Sequence, residues 1–140
     1  MEDGGHLSWQ ATYAPGYVKA IGYKAGRKVL EERIETTGEA TQMQTTVSTQ
    51  LDVTIVCITL HDKKGRFVPD ACLPLTATAS DGLTILGGGN GDPAFRGVER
   101  PKAGEKQLAI PSFNGCLQLL VRGEGQLEIS GKDIHTTLNL

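Results

Sequence analysis

Short, strand-length apolar runs recur along the chain, separated by glycine, proline, asparagine and aspartate, and no window combines a 3.6-residue apolar period with helix caps. The pattern predicts an all-β chain. Tyr17 to Tyr23 is the first strand candidate, after the turn pair Pro15-Gly16, and Lys28 to Glu35 the second, after Lys24-Ala25-Gly26-Arg27. Together they predict a hairpin. Its second arm puts Leu30 and Ile34 on one face and Glu31, Arg33 and Glu35 on the other, so one side of it should meet solvent. From Thr36 to Gln50 the chain is polar and threonine-rich, with few bulky apolar residues to bury. It reads as a linker leading into an edge strand.

From Asp52 to Leu60 apolar side chains fall on both parities, the pattern of a core strand covered on both faces. Asp62-Lys63-Lys64-Gly65-Arg66 supplies a turn and Pro69-Asp70-Ala71 a bend, and Leu73, Leu75, Ala77 and Ala79 then alternate along a further strand. After the short run Leu83 to Leu86, the glycines Gly87, Gly88 and Gly89, with Asn90, Gly91, Asp92 and Pro93, are expected to exclude any regular element and to open a long connection. Strand structure resumes at Gln107 to Ile110 and turns at Asn114-Gly115. Leu117, Leu119 and Val121 then point one way, Gln118 and Arg122 the other. Leu127 to Ser130 closes the series, before a tail from Gly131 to Leu140. Short strands at this spacing predict a β-sandwich with Greek-key connections.

Composition narrows the chemistry. The 140 residues suffice for one core, and a formal net charge of -2 gives no field that would favour nucleic acid. No apolar run approaches the roughly 18 residues of a membrane-spanning helix. The N-terminal residues 1–6 are acidic and polar, unlike a secretory signal, so either the protein is cytoplasmic or these residues are a flexible or artificial leader. Cys57, Cys72 and Cys116 form no C-x-x-C pair and read as buried free thiols in strands.

No catalytic constellation emerges. The glycine cluster at 87–91 lacks the lysine and the helix of a phosphate loop, and Asn90 with Asp92 offers too few oxygens for calcium. These residues, with Pro93 and the Asn114-Gly115 pair, are expected to be structural turns. His6, His61 and His135 lack metal-site spacing, so neither metal nor cofactor is expected. Ser112 has no nucleophile-elbow context, and Glu31 and Glu32, adjacent in a strand, point to opposite sides. The aromatic residues Trp9, Tyr13, Tyr17 and Tyr23 cluster near the N-terminus. They suit packing against a neighbouring domain, with sugar stacking by Trp9, Tyr13 and Tyr17 as the alternative.

Trp9, Tyr13, Pro15-Gly16, Val18 to Tyr23 and Gly26-Arg27-Lys28-Val29 resemble the last strands of a sandwich domain downstream of the barrel in family 2 glycoside hydrolases of the β-galactosidase type. Val53 to Asp62, Gly65, Val68-Pro69-Asp70-Ala71, Gly89 to Pro93, Phe113-Asn114-Gly115 and Leu119 to Arg122 resemble the terminal immunoglobulin-like domain of the same enzymes. The segment Thr46 to Val53 is shorter than the family's pattern. The resemblance implies terminal strands of a preceding sandwich at 7–40 and an immunoglobulin-like sandwich at 41–131, which leaves 1–6 as a leader and 132–140 as a tail. Family catalytic glutamates lie in a barrel that needs roughly 200 residues or more, so no catalytic residue carries over. What is implied is a non-catalytic accessory region whose partners are the other domains of a β-glycosidase, periplasmic or secreted in one reading. Pairing of exposed strand edges would give a homodimer.

Overall fold

A computed structural model describes Gly5 and residues 7–140; residues 1–4 and His6 lie outside the described residues. The chain divides into two compact units, Met1–Thr36 and Thr37–Leu140.

In the first unit, β1 (Tyr17–Lys24) and β2 (Arg27–Glu35) pair antiparallel. Their loop, Ala25-Gly26, has positive φ at both residues, 49° and 77°, the primed turn whose twist suits a hairpin. On one face, the Lys19 ammonium lies 2.7 Å from a Glu31 carboxylate oxygen and Lys28 also bonds Glu31. These two lysines, Lys19 foremost, hold the Glu31 carboxyl below its usual range. The opposite face carries Val18, Leu30 and Ile34, which are 69%, 62% and 73% exposed. Both faces are therefore open, where the alternation of β2 suggests solvent on one side alone.

The second unit carries eight strands: β3 (Ala40–Gln50), β4 (Val53–Asp62), β5 (Pro74–Ala79), β6 (Leu83–Gly89), β7 (Gln107–Pro111), β8 (Cys116–Gly123), β9 (Gln126–Ser130) and β10 (His135–Asn139). They form two four-stranded antiparallel sheets, ordered β3-β4-β8-β6 and β10-β9-β5-β7. From β4 onward the chain switches sheets at almost every step, an all-β sandwich of the immunoglobulin-like kind. Period-two alternation builds the core. Val56, Ile58 and Leu60 of β4 and Leu117, Leu119 and Val121 of β8 form one inner layer; Leu75 and Ala77 of β5, Leu108 and Ile110 of β7 and Leu127 and Ile129 of β9 form the other. Each large aliphatic side chain buried here contributes about 1.5–3 kcal/mol.

Four expectations are corrected. The threonine-rich stretch is no linker beyond Glu39: Ala40–Gln50 is a full strand, because its β-branched threonines and Val47 suit a pleated edge. Strand β4 is fully covered on its inner face only, since Val53, Ile55 and Cys57 on the outer face are half-buried. Gly87, Gly88 and Gly89 do not break the chain but continue β6, paired through a bulge to Leu120, Leu119 and Gln118. Close approach explains them: a Cβ on Gly88 would lie 2.9 Å from Leu119 Cδ2 and 3.1 Å from Gln118 O, and one on Gly87 3.0 Å from Glu99 O. Finally, the stretch 131–140 is no tail. Its strand β10 pairs with β9, Ile134 is buried, and Leu138 and Leu140 pack on the core.

Candidate functional site

The sugar-stacking candidates belong to the first unit. Trp9 and Tyr13, 76% and 78% exposed, precede β1 in a segment without regular secondary structure. Tyr17 opens β1 and is 60% exposed, with the Arg33 guanidinium 4.0 Å from its ring centroid. Tyr23 lies near the other end of the strand and is also exposed. One face of the Tyr17 ring is thus occupied by a cation of the same hairpin, while Trp9 and Tyr13 present open rings.

The turn residues have defined partners within the second unit. Gly89 ends β6. Buried Asn90 donates through Nδ2 to Pro111 O (3.1 Å) and accepts the Asp92 N–H at Oδ1 (3.0 Å). Asp92 Oδ1 in turn accepts the Ala94 N–H (2.8 Å) ahead of the connection through Pro93. Gly91 sits between them with φ 81°. These oxygens are satisfied by backbone amides. At the β7–β8 turn, Asn114 and Gly115 have φ of 49° and 76°, and Phe113 and Cys116 exchange two backbone hydrogen bonds of 2.9 and 3.0 Å. A Cβ on Gly115 would lie 2.3 Å from Val68 O, so this position takes glycine on two counts.

Two buried polar residues, neither part of a recognisable motif, tie the sandwich together. Ser112, 2% exposed, accepts the Leu73 N–H at Oγ (2.9 Å) and donates to Ala71 O (3.3 Å), tying β7 to the bend before β5. Asp62, 1% exposed, accepts five hydrogen bonds. Oδ2 takes Gly38 N–H (3.0 Å) and Arg66 Nε and its terminal nitrogen (2.9 and 2.6 Å); Oδ1 takes Lys64 and Arg66 N–H (2.9 and 3.0 Å). The Arg66 guanidinium first, and then the Gly38 N–H, hold this carboxyl far below its usual range against the pull of desolvation. The sequence signal was available: an aspartate opening a turn that ends in arginine. It marks an anchor for the chain's entry into the sandwich.

The remaining candidates do not converge. His61, half-buried, has Nδ1 3.0 Å from Gly65 O and stands edge-on to Phe67, whereas His135 lies on β10 beside Thr137. Among the described residues no group of three or more histidine, cysteine, aspartate or glutamate side chains could hold a metal. All three cysteines are free thiols, but only Cys57 is even half-buried: Cys72 and Cys116 are exposed, contrary to the buried expectation. Cys72 falls in the bend before β5, and Cys116 opens β8 on an outward position. Glu31 and Asp81 keep lowered carboxyls through Lys19 and Lys106 respectively, each at the surface.

The profile of a family described as a domain of unknown function (DUF4982) matches residues 1–30. A β-galactosidase of Bacteroides ovatus is 29% identical over 127 residues, which cover 86% of this chain and 14% of that enzyme. Among solved structures, a β-glycosidase of Bacteroides vulgatus superposes with a TM-score of 0.67 at 22% identity, covering 94% of this chain and 18% of that one. A glycosyl hydrolase family 2 member of Bacteroides cellulosilyticus gives 0.69 at 20% identity, covering 94% and 19%. The chain thus spans less than a fifth of the length of each of these relatives. In sequence and in fold alike, it resembles the C-terminal immunoglobulin-like region of glycoside hydrolase family 2 enzymes of the β-galactosidase type.

Proposed function

We propose that this chain is a non-catalytic accessory region of a family 2 glycoside hydrolase whose full-length form cleaves β-galactosides or related β-glycosides. The observation that carries the reading is the match to the B. ovatus β-galactosidase over 86% of this chain but 14% of that enzyme. The side-chain chemistry supports it. A glycosidase pair needs one carboxyl with a raised pKa facing a second across a cleft, whereas the carboxyls of Glu31, Asp62 and Asp81 are each lowered by a neighbouring cation.

The hairpin of the first unit is the docking element in this reading. A two-stranded ribbon is marginally stable alone, and the open face of Val18, Leu30 and Ile34 suits burial against other strands of a preceding sandwich domain. The purified chain is expected to leave a chromogenic β-galactoside unhydrolysed at any pH from about 4 to 8. Turnover abolished by substituting one of its own carboxylates refutes the reading. A second reading, sugar binding, draws on the open rings of Trp9 and Tyr13. It requires saturable binding that is lost in Trp9→Ala.

A further inference from the structure

From Met43 to Gln50 the β3 edge of the sandwich carries none of the devices that keep sheet edges from pairing. Natural edges are short, bulged, or interrupted by lysine or proline. Strand β3 runs for 11 residues, Ala-Thr-Gln-Met-Gln-Thr-Thr-Val-Ser-Thr-Gln, without a charge or a proline, and its bulge is confined to the first positions, Ala40 to Gln42. It is the outermost strand of its sheet, and β4 is its one hydrogen-bonded partner strand among the described residues.

Hydrogen bonding fixes which groups are unpaired. In β4, Leu60 N–H donates to Gly115 O, Leu60 O accepts Val68 N–H, and Asp62 N–H donates to Arg66 O, all away from β3. The intervening β4 residues Ile55, Cys57 and Thr59 therefore bond to β3, opposite Ser48, Thr46 and Gln44. By alternation, the backbone N–H and C=O groups of Met43, Thr45 and Val47 point to the open edge.

We propose that this edge pairs antiparallel with the same edge of a second copy of the chain, about a two-fold axis at Thr45. That register overlays the whole strand on its mate. Thr45 meets Thr45 of the partner subunit, and Met43 meets Val47 of the partner subunit twice over, which gives about six backbone hydrogen bonds from these residues alone. It also pairs the bulkiest apolar side chains of β3 on the core-side face and leaves neutral Gln44 opposite Thr46 of the partner subunit on the outer face. No like charges are opposed, so the edge is self-complementary. The sequence alone points to the hairpin's edges for such pairing; the structure points to β3, whatever enzyme the chain belongs to.

Sedimentation of the full chain across concentrations, with amide hydrogen exchange at each, tests this. The mass should double with concentration while the Met43, Thr45 and Val47 amides gain protection. Two substitution pairs read the register. Gln44→Lys with Thr46→Lys sets lysine against lysine at two places and should weaken the dimer roughly tenfold, whereas Gln44→Lys with Thr46→Glu sets lysine against glutamate and should restore it. Both sites are exposed, and circular dichroism confirms that each variant is folded. A monomer at every concentration, a dimer whose edge amides stay unprotected, or a dimer indifferent to the charge pairs overturns the proposal.

Discussion

Replacing Gly88 by alanine places a methyl group 2.9 Å from Leu119 Cδ2, 3.1 Å from Gln118 O and 3.2 Å from Leu108 Cδ2. Carbon atoms in good contact stand about 3.5–4.0 Å apart, so the two leucines and the β8 backbone must give way. Such overpacking costs about 1–3 kcal/mol, and the narrower unfolded ensemble of alanine returns about 0.4–1 kcal/mol. The net expectation is a loss of about 1–2 kcal/mol. Leu119→Ala, at a fully buried position, costs about 2–5 kcal/mol by itself but also removes the methyl that the new side chain strikes. The double variant should therefore be about 1 kcal/mol more stable than the sum of the two single losses. Urea unfolding followed by far-ultraviolet circular dichroism is the assay, because the one tryptophan, Trp9, belongs to the other unit and would not report on the sandwich. Additive losses, or a Gly88→Ala variant as stable as the parent chain, refute the close-packing account of β6.

Removing residues 135–140 should destabilise the sandwich by about 2–4 kcal/mol in the same assay, since it deletes β10 and the packing of Leu138 and Leu140; an unchanged midpoint would restore the tail reading. Leu51 holds φ 57° at the β3–β4 loop while fully exposed, so Leu51→Gly should raise stability by about 1 kcal/mol, and a loss would show that its side chain is needed. Gly115→Ala should cost at least about 2 kcal/mol, whereas Asn114→Gly should change little, as read from thermal melts. Because the folded pKa of Asp62 is depressed, its stabilisation is complete above the unfolded value of about 3.9 and is lost as pH falls below it. Asp62→Asn should flatten the acid side of a melting-temperature profile, and an unchanged profile would count against the anchoring role of that carboxylate.

The legible parts of this fold were those where side-chain alternation and turn chemistry act locally. Leu117, Leu119 and Val121 against Gln118 and Arg122, the Ala25-Gly26 and Asn114-Gly115 loops, and the core strand through Val56, Ile58 and Leu60 follow from short-range rules. The misread parts depend on partners distant in sequence. Gly87 to Gly89 form a strand because β8 and the Glu99 backbone lie against them, and glycine-rich composition says nothing of that approach. Strand β10 exists because β9 offers it an edge, and its own five residues, His135 to Asn139, carry a single large apolar side chain, Leu138. The stretch Thr36 to Gln50 reads as a linker leading into an edge strand because the edge strand itself, Ala40–Gln50, needs few apolar residues. Of the proposed sugar contacts, Trp9 and Tyr13 are exposed, while the Arg33 stack on Tyr17 follows from the hairpin register, which sets Arg33 opposite Lys19, one step along the same face.

On the proposed function, this chain acts by packing and leaves sugar chemistry to the rest of a larger enzyme. Retention of the folded chain on immobilised β-galactosides and polysaccharides, run beside Trp9→Ala, tests it most directly. Both proteins should elute unretained. Saturable retention of the chain that is lost in Trp9→Ala would contradict it and establish the open aromatic residues of the first unit as a sugar-binding surface.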